Sequence, residues 1–457
     1  MSRPLVSVYI TNHNYGRFIK QSVESVLAQT LQDFEVIIID DGSTDHSREI
    51  IEYYSAHPQT RIVYQQRKGL NITNNIALRL ARGRYIMRLD ADDYLDPNAL
   101  LVMSRVLEND KKLGLVFPDY YLVDVHGNVL NMERRHTFSK DVSLLDMPAH
   151  GACTLIRRQF LLDVGGYDES FSCQDGYDLW IKFTNHYKVT NVNLPLFYYR
   201  QHGGNLTRNE KRILNTRSAI KRRHSISKGH QINAIAVIPI RGASVDPSSV
   251  ALLKLGRKKV VDWAVESALL AETVDAVVIV TSDPAVKKYV ATRYSDVDKV
   301  VLVERPEELA RVNKDIRETL GLVLADARIR GIKPSAVAIL SVEAPFMSPR
   351  FIEDAVRTLD IFKVDTVVSV RPETSIMYQH DGRGLHVILN QDKFTRLERE
   401  ALFKHVGGLT AYRVSCLRKK VGQEVRAGHV VVDQESAHMI RSEHEMNVAR
   451  YLARNRT

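Results

Sequence analysis

Three carboxylates stand within four residues in the segment Arg88-Leu89-Asp90-Ala91-Asp92-Asp93. They follow a short apolar run, Tyr85 to Met87, that predicts the end of a buried strand. Carboxylates at this spacing repel one another, and a divalent cation that prefers oxygen ligands relieves the repulsion while leaving coordination positions for a diphosphate. Because Asp is also common in turns, the segment predicts either a cation site for a phosphate ligand or a solvated acidic turn.

The elements before this segment alternate between strands and helices. Apolar runs predict strands and helical spacing predicts the helices between them, in the order 5–11, 18–29, 34–39, 47–54, 62–65, 71–81 and 84–89. This alternation predicts an α/β fold with a doubly wound, mostly parallel sheet. Ligands bind outside the carboxyl ends of the strands in such sheets, and His13, Asp41 and Asp92 all fall at such ends.

Length and composition bound the class of protein. At 457 residues the chain is about three times a typical domain, which predicts two or three domains. Its 44% hydrophobic and 26% charged residues are typical of soluble globular proteins. No apolar run approaches the roughly 18 residues of a membrane-spanning helix, and the N-terminus lacks the pattern of a signal peptide. The cysteines Cys153, Cys173 and Cys416 have no metal-ligand spacing, so the sequence predicts a cytoplasmic protein with reduced thiols.

The net charge of +10 is concentrated in one stretch. Between residues 208 and 228, Lys and Arg recur and Glu210 is the single acid. One interpretation is a solvated linker helix. The other is peripheral contact with an anionic surface at the inner face of a membrane, or with a phosphorylated acceptor. Nucleic acid is not expected as a partner, because no recognised binding motif accompanies the charge.

Several motifs of the first half occur together and in a fixed order. They are Val6-Ser7-Val8 to Asn14, Ser25-Val26-Leu27-Ala28-Gln29-Thr30, Asp40-Asp41-Gly42-Ser43-Thr44-Asp45, Ala81-x-Gly83-x-Tyr85-Ile86 and Asp90-Ala91-Asp92-Asp93. In this order and spacing, residues 3 to 205 resemble a family 2 glycosyltransferase of the GT-A fold. The resemblance implies a nucleotide-sugar donor and Mn²⁺ or Mg²⁺ as the cofactor.

The resemblance also implies roles for individual residues. Asp92 would bind the metal, and the nucleotide and donor would be contacted by Thr11, Asn14, Asp41, Asn75, Asp90, Asp93 and His202. Thr11 and Asp41 would lie against the base, and Asp90 and Asp93 would hold the ribose and the metal-bound diphosphate. One departure is Asn74, which stands where the family usually has an Arg that contacts the diphosphate.

Two further segments resemble the acceptor half of the same family: Gly151 to Arg157 and Gly165-Gly166-Tyr167-Asp168-Glu169. The segment that follows usually contains Glu-Asp, and this chain has Gln174 and Asp175 there. The resemblance implies that Asp175 is the general base, since the reaction needs one carboxylate to take a proton from an acceptor hydroxyl. The alternative interpretation is that Asp175 only caps the start of a helix.

The second half, from residue 232, repeats the alternation of strands and helices and predicts another doubly wound domain. Its motifs resemble those of the acylneuraminate cytidylyltransferases, notably Ala236 to Ser244, Glu304 to Ala310 and Asp365 to Val370. That family binds CTP with a Gly- and Lys-rich loop after the first strand. Here the loop has no Lys and gains Asp246. We therefore expect a vestigial nucleotide site at Arg241, Gly242 and Ser244.

These patterns predict a GT-A glycosyltransferase domain over 1–207, a basic helical linker over 208–231 and a non-catalytic cytidylyltransferase-like domain over 232–457. The predicted activity is metal-dependent, inverting transfer of a sugar, with a UDP-sugar favoured, to a glycan or lipid-linked acceptor in the synthesis of surface polysaccharide or glycoconjugate. A homodimer through the C-terminal domain is also predicted.

Two alternatives remain at this point. In the first, the C-terminal half makes a CMP-activated nonulosonic acid and the enzyme is bifunctional. In the second, the chain is a non-catalytic binding or scaffold protein. The retained carboxylates at positions 40, 41, 90, 92 and 175 argue against the second, because a decayed site has little reason to keep groups that repel one another.

Overall fold

The structure is a computed structural model that describes residues 3–134, 148–202, 209–227, 232–311, 314–373, 375–380, 382, 384–387, 402–418, 425–454 and 456. The chain divides into two compact units. One comprises Met1–Arg217 with Ile376–Glu400, and the other comprises Ser218–Ser375 with Ala401–Thr457.

The N-terminal unit alternates strands and helices before its chain turns to longer strands. Its elements are β1 Val6–Asn12, α1 Ile19–Leu27, β2 Phe34–Asp41, α2 Ser47–Glu52, β3 Thr60–Gln65, α3 Leu70–Leu80, β4 Tyr85–Asp90, β5 Tyr94–Leu95, α4 Ala99–Asn109, β6 Leu113–Val123, β7 Val129–Glu133, β8 Leu155–Arg157, α5 Arg158–Asp163, α6 Asp175–His186 and β9 Lys188–Arg200. Helix α7, Glu210–Ser227, follows.

These strands form a nine-stranded sheet in the order β3-β2-β1-β4-β8-β6-β9-β5, with β7 paired to β6. Strand β1 runs parallel to β2 and β4, and β2 runs parallel to β3. Strand β8 is antiparallel to both β4 and β6, so β6 and its parallel partner β9 run in the direction of β4. The predicted α/β fold with a mostly parallel sheet is confirmed.

Helices cover both faces of this sheet because the buried strands are apolar on both sides. Val6, Val8 and Ile10 of β1 pack in one core with α1 and α4. Tyr9, between them in sequence, points to the opposite core with Trp180 of α6 and residues of α3. The alternation of side chains along a strand therefore places α6 on the face that Tyr9 lines.

The C-terminal unit has its own α/β architecture. Its strands are β10 Ala234–Ile240, β11 Lys254–Leu255, β12 Lys258–Lys259, β13 Val274–Thr281, β14 Val300–Glu304, β15 Ala336–Leu340, β16 Thr366–Glu373, β19 Leu402–Arg413 and β20 Ala427–Val431. Its helices are α8 Val260–Leu270, α9 Pro284–Arg293, α10 Ile316–Ala325, α11 Ala327–Ile332, α12 Pro349–Ile361 and α13 Glu443–Arg454. A short hairpin, β17 Tyr378–His380 with β18 Leu385–Val387, lies in the segment Ile376–Glu400 that belongs to the N-terminal unit.

The main sheet of the C-terminal unit has the order β14-β13-β10-β15-β19-β16-β20. Strand β19 is antiparallel to its neighbours β15 and β16, and the other pairs are parallel. The sheet is therefore mostly parallel, as the repeated alternation predicts. The domain boundaries and the likeness of this unit to cytidylyltransferases remain predictions.

Candidate active site

The parallel strands β1, β2 and β4 bring their carboxyl ends to one edge of the N-terminal sheet. Thr11 is in register with Asp90, and Asn12 is in register with Asp40. The Thr11 hydroxyl donates to Asp90 Oδ1 at 3.2 Å, and the Asn12 amide donates to Asp40 Oδ1 at 3.0 Å. Register therefore joins residues of the chain that are 79 and 28 positions apart.

Asp41, at the end of β2, holds the loop that leads into α3. Its Oδ1 accepts from the Gln65 side chain at 2.8 Å and from the Lys68 backbone N–H at 2.7 Å, while Oδ2 accepts from the Gly69 backbone N–H at 2.8 Å. The surface beside it is concave and lined by Gly42, Arg48, Tyr64, Gln65, Gln66 and Arg67. Asp41 thus shapes the edge of a depression where the resemblance implies a nucleotide base.

Asn14 orders the loop after β2. Its backbone lies in the left-handed region at φ 61°, which Asn tolerates better than most residues. Its Oδ1 accepts from the backbone N–H groups of Thr44 at 2.8 Å and Asp45 at 3.3 Å. The side-chain oxygen of this predicted donor contact is therefore already engaged within the protein.

Asp90 and Asp175 meet at a single buried guanidinium, that of Arg88. Arg88 Nη1 donates to Asp175 Oδ2 in a very short contact, and Arg88 Nε lies 3.0 Å from Asp90 Oδ1. Burial raises the pKa of Asp90 to about 6 against the lowering effect of Arg88, and the charges of Asp92 and Asp175 add to the rise. The tertiary fold therefore places the predicted base against the carboxylate cluster, across 87 residues of sequence.

Asp175 reaches this position from the first residue of α6. Helix N-termini favour negative charge, which suits a carboxylate there. The cap residue is Gln174, in the left-handed conformation at φ 62°, and no side chain makes a capping hydrogen bond. The interpretation of Asp175 as a simple helix cap therefore finds no support. Gln174 Oε1 instead accepts from Arg217 Nε at 2.8 Å.

Gly151 allows the Arg88–Asp175 pair to form. A Cβ added at Gly151 would lie 2.6 Å from Arg88 Nη2 and 3.0 Å from Asp175 Oδ2. Both distances are too short for a carbon against these atoms, so any side chain at residue 151 would displace the ion pair. The glycine is needed because the backbone passes directly over a charged contact.

Asp92 and Asp93 point to different partners. Asp92 Oδ2 lies 2.8 Å from His202 Nε2, and the imidazole stacks on Phe18 with ring centroids 5.7 Å apart. Asp93 Oδ1 accepts from the Arg200 backbone N–H at 2.9 Å. Burial raises the pKa of Asp93 well above its ordinary value, and the neighbouring Asp92 and Asp90 charges raise it further. Asp92 and His202 thus form one pair, whereas Asp93 anchors the end of β9.

Arg200, two residues before His202, is a second buried arginine of the site. Its Nε donates to the Asp92 backbone oxygen at 2.8 Å, and Nη2 donates to Gln21 Oε1 at 2.6 Å. The guanidinium also lies over the Phe18 ring, 4.8 Å from its centroid. It therefore holds the turn that carries Asp92.

Asn75 and Asn74 both make contacts within the protein. Asn75 Nδ2 donates to the Tyr167 backbone oxygen and to Glu169 Oε1, both at 2.8 Å, and its Oδ1 accepts from the Tyr167 N–H at 3.0 Å. Asn75 is thus the anchor of the loop before α6. Asn74 is fully buried and accepts from the Tyr9 hydroxyl at 3.2 Å, so it lies beneath the site, where it cannot replace an arginine that reaches a diphosphate.

The residues present can hold a divalent cation only if the substrate supplies the remaining ligands. Within the described ranges, no group of three His, Cys, Asp or Glu side chains is arranged to hold a metal ion. Asp92 offers a nearly buried carboxylate beside Asp90. Mg²⁺ is commonly bound by one or two carboxylates together with substrate phosphates, and this donor set suits that mode.

Helix α7 uses several of its basic residues for contacts within each unit. In the N-terminal unit, Arg212 donates to the Ser172 backbone oxygen at 2.9 Å and Arg217 binds Gln174. In the C-terminal unit, Arg222 forms an ion pair with Glu272 at 2.8 Å. These contacts engage three of the basic residues that the sequence interpretation assigned to a membrane surface. Residues 208 and 228 of the basic stretch lie outside the described residues.

The predicted vestigial nucleotide site lies in the C-terminal unit, after β10. Gly242 has φ 72°, and a Cβ there would lie 2.2 Å from Asp283 Cβ. The Ser244 backbone N–H donates to Asp283 Oδ2 at 3.1 Å, and Arg241 lies 4.0 Å from Asp246. The Asp283 carboxylate therefore accepts from the Ser244 N–H group that a phosphate would need, and the Asp246 carboxylate faces Arg241.

Two of the residues that organise the site, Gly151 and Arg88, lie within the sequence motifs, but the motifs do not indicate their roles. An arginine inside an otherwise apolar strand is a signal that could have identified Arg88, because a buried cation needs a buried anion. The sequence alone contains no indication of which carboxylate that would be.

Comparison with known proteins finds relatives for the first half of the chain. The family described as Glycosyl transferase family 2 matches residues 7–165. Chondroitin synthase from Escherichia coli is 35% identical over 204 residues, which are 44% of this chain and 30% of that protein. An uncharacterized glycosyltransferase from Methanocaldococcus jannaschii is 30% identical over 209 residues, which are 44% of this chain and 72% of that protein.

The solved structure of S. aureus TarS 1-349 in complex with UDP aligns with 87% of this chain and 98% of that chain, at 13% identity and a TM-score of 0.41, too low to support a conclusion. In the described part of the chain, no helix has the length and apolar character of a membrane span. This chain spans less than a third of the length of the chondroitin synthase that it matches. The Methanocaldococcus jannaschii relative establishes the family, because it is 30% identical and this chain covers 72% of its length. The chain belongs to glycosyl transferase family 2.

Proposed function

We propose that the N-terminal unit transfers a sugar from a nucleoside diphosphate donor to an acceptor hydroxyl, with inversion at the sugar carbon. The observation that carries this proposal is the shared guanidinium of Arg88, which brings Asp175 to the Asp90 end of the carboxylate cluster. A base and a donor-binding cluster at one edge of a sheet are what a direct displacement requires.

The proposed reaction transfers one proton, forms one bond and breaks another. Asp175 Oδ1 accepts no hydrogen bond from any residue that the structure describes, whereas Oδ2 is held by Arg88. Oδ1 takes the proton of the acceptor hydroxyl as the acceptor oxygen forms a bond to the anomeric carbon. The bond from that carbon to the diphosphate oxygen breaks, and the nucleoside diphosphate leaves with the electron pair on the opposite face.

Metal dependence is part of the proposal. Asp92, with Asp90 beside it, would hold Mn²⁺ or Mg²⁺ together with the donor diphosphate, and His202 would fix the orientation of the Asp92 carboxylate. The bound cation would neutralise charge on the leaving diphosphate.

The donor and acceptor classes follow from similarity rather than from contacts. The name of the Escherichia coli relative, chondroitin synthase, supports a polysaccharide or glycoconjugate acceptor. A UDP-sugar as the donor remains a prediction of the sequence. Peripheral membrane contact through 208–228 and a homodimer through the C-terminal unit remain predictions of the sequence.

We further propose that the C-terminal unit does not transfer a cytidylyl group. The carboxylates of Asp283 and Asp246 support this assignment, because they take the backbone donor of Ser244 and face Arg241, where a triphosphate would have to bind. The bifunctional alternative makes the opposite prediction and is tested together with the donor.

The donor test is calorimetric titration of the full chain with UDP, GDP, CDP, CMP and CTP, each with and without Mn²⁺. We expect manganese-dependent binding of a nucleoside diphosphate, UDP foremost, that Asp92→Asn abolishes. Failure of every diphosphate to bind would refute the donor class. Tight CTP binding that survives Asp92→Asn would instead establish the bifunctional alternative.

The base test is replacement of Asp175 by Asn, assayed by release of nucleoside diphosphate in the presence of an acceptor oligosaccharide. Loss of general base catalysis predicts a fall in kcat of about 10²–10⁴-fold with donor binding retained. Asp178→Asn is the matched control, because Asp178 lies in the same helical turn and pairs with Lys182 at 2.7 Å. Turnover of Asp175→Asn near that of the control would remove Asp175 from this role.

A further inference from the structure

Arg88 is the cation in the N-terminal unit that contacts both the donor-side and the acceptor-side carboxylates. Its side chain is only 5% exposed, and its Nη1 and Nε reach Asp175 and Asp90, respectively. Burying an arginine is costly unless its charge is paired, so both carboxylates stabilise it. The reverse also holds, because a buried carboxylate is costly unless a cation is paired with it.

We propose that Arg88 is a positioning residue for the transfer reaction: it holds Asp175 through Oδ2, leaves Oδ1 directed to the acceptor, and ties the base to the donor end of the site through Asp90. This proposal rests on the proposed function of the N-terminal unit. Arg88 itself touches neither the reacting hydroxyl nor the leaving diphosphate, so its effect on the reaction passes through Asp175.

The geometry requires an arginine. The planar guanidinium presents several donors in a rigid fork, and here separate nitrogens serve Asp175 and Asp90. A lysine ammonium is a compact point charge that cannot reach both partners in the same fixed directions. Lysine is therefore expected to preserve the charge and only part of the orientation.

The backbone around the Arg88–Asp175 pair leaves space for the two side chains. Gly151 passes so close that a methyl group would lie 2.6 Å from Arg88 Nη2. On the other side, Tyr9 and Tyr167 are buried with hydroxyls 3.0 Å apart, and burial raises the pKa of both, so they face the pair as neutral phenols. The titratable and charged groups that face Asp175 are therefore Arg88, Asp90, Tyr9 and Tyr167.

The test compares Arg88→Met, Arg88→Lys and Gly151→Ala with the wild-type chain. Misplacement of a catalytic group by about 1 Å can cost ~10²-fold in rate, and we expect Arg88→Met to lose kcat by about that factor with a smaller change in KM for the donor. Arg88→Lys should recover part of the loss. Gly151→Ala should reproduce it while keeping the arginine, because the added methyl displaces the same pair.

The split between kcat and KM separates positioning from general stability. A misplaced base slows the chemical step, so Arg88→Met should lower kcat far more than it changes the KM for the donor. Arg157→Met is the matched control: Arg157 is also buried in a neighbouring strand, but its donors bind the Leu113 and Leu107 backbone oxygens. We expect the control to lose stability and keep the kcat and KM of its folded fraction.

A crystal structure of Arg88→Met tests the proposal without any assay of activity. We expect the Asp175 carboxylate to leave its wild-type position in Arg88→Met and to return in Arg88→Lys. An Asp175 side chain unmoved in Arg88→Met, or a kcat equal to that of Arg157→Met, would overturn the proposal. If the wild-type chain transferred no sugar but Asp175 still moved, the function would fail and the positioning role would stand.

Discussion

Replacement of Asp41 by Asn tests whether this residue holds the loop before α3. The carboxylate accepts three hydrogen bonds, two of them from the backbone N–H groups of Lys68 and Gly69. An asparagine amide has one oxygen, so at least one N–H group would face an NH₂ group instead of an acceptor. Asp41 is buried, which makes the lost bond more costly than it would be at the surface.

The magnitude follows from the kind of bond. A hydrogen bond to a charged group contributes about 1.5–3 kcal/mol, so the loop should open more easily by about 2 kcal/mol, which is roughly 30-fold in the opening equilibrium. Hydrogen–deuterium exchange of peptides covering residues 66–75 measures this local opening directly. The donor titration with UDP should weaken in parallel, because the same loop borders the depression beside Gly42.

Asp45→Asn is the matched control for Asp41→Asn. Asp45 also accepts from backbone N–H groups, those of Gly16 and Ser47, but it belongs to another loop. Its replacement should leave exchange in residues 66–75 unchanged. Exchange of Asp41→Asn equal to that of this control would refute the assignment of Asp41 as the anchor of the loop.

Two further predictions concern the stability of the N-terminal unit. Gly83→Ala should destabilise the unit by about 1–3 kcal/mol, because the new Cβ would lie 2.5 Å from the Ser7 backbone nitrogen. Thermal unfolding measures the change in stability, and a Tm equal to that of wild type would contradict the prediction. Burial opposes ionisation of Asp40, but hydrogen bonds from Ser43, Arg48 and Asn12 outweigh it and hold the pKa of Asp40 below its ordinary value of 3.8. The stabilisation is therefore complete above pH 3.8 and is lost as the pH falls through the lowered pKa, so urea unfolding of wild type and Asp40→Asn should converge in acid and differ at neutral pH.

Much of the N-terminal fold was readable from local pattern. Strand β2 and helix α3 were predicted at 34–39 and 71–81 and are observed at Phe34–Asp41 and Leu70–Leu80. Such elements depend on the periodicity of apolar residues over short windows, which the sequence displays directly. His13, Asp41 and Asp92 follow or lie at the ends of β1, β2 and β4, so the edge of the sheet that bears the site was also predictable.

The partners of the predicted residues were decided by tertiary contacts. Asn75 binds the loop around Tyr167, 92 residues away, and Asp93 binds Arg200, 107 residues away. No local pattern carries information about such pairs, because each depends on which strands become neighbours and on how closely the backbone passes. The sequence predicts Asn75 and Asp93 as donor contacts, and the structure adds contacts that both make within the protein.

The sequence by itself determined the types of group present and the strand ends that carry them: carboxylates near the ends of β2 and β4, and an acid at the start of α6. Only the tertiary structure decided that Asp175 shares a guanidinium with Asp90, that Asn14 and Asp41 organise loops, and that Gly151 makes room for an ion pair. The physical reason is the range of the interactions. Periodicity and turn chemistry act over a few residues, whereas charge pairing and close packing act through space between segments that the chain brings together only when it folds.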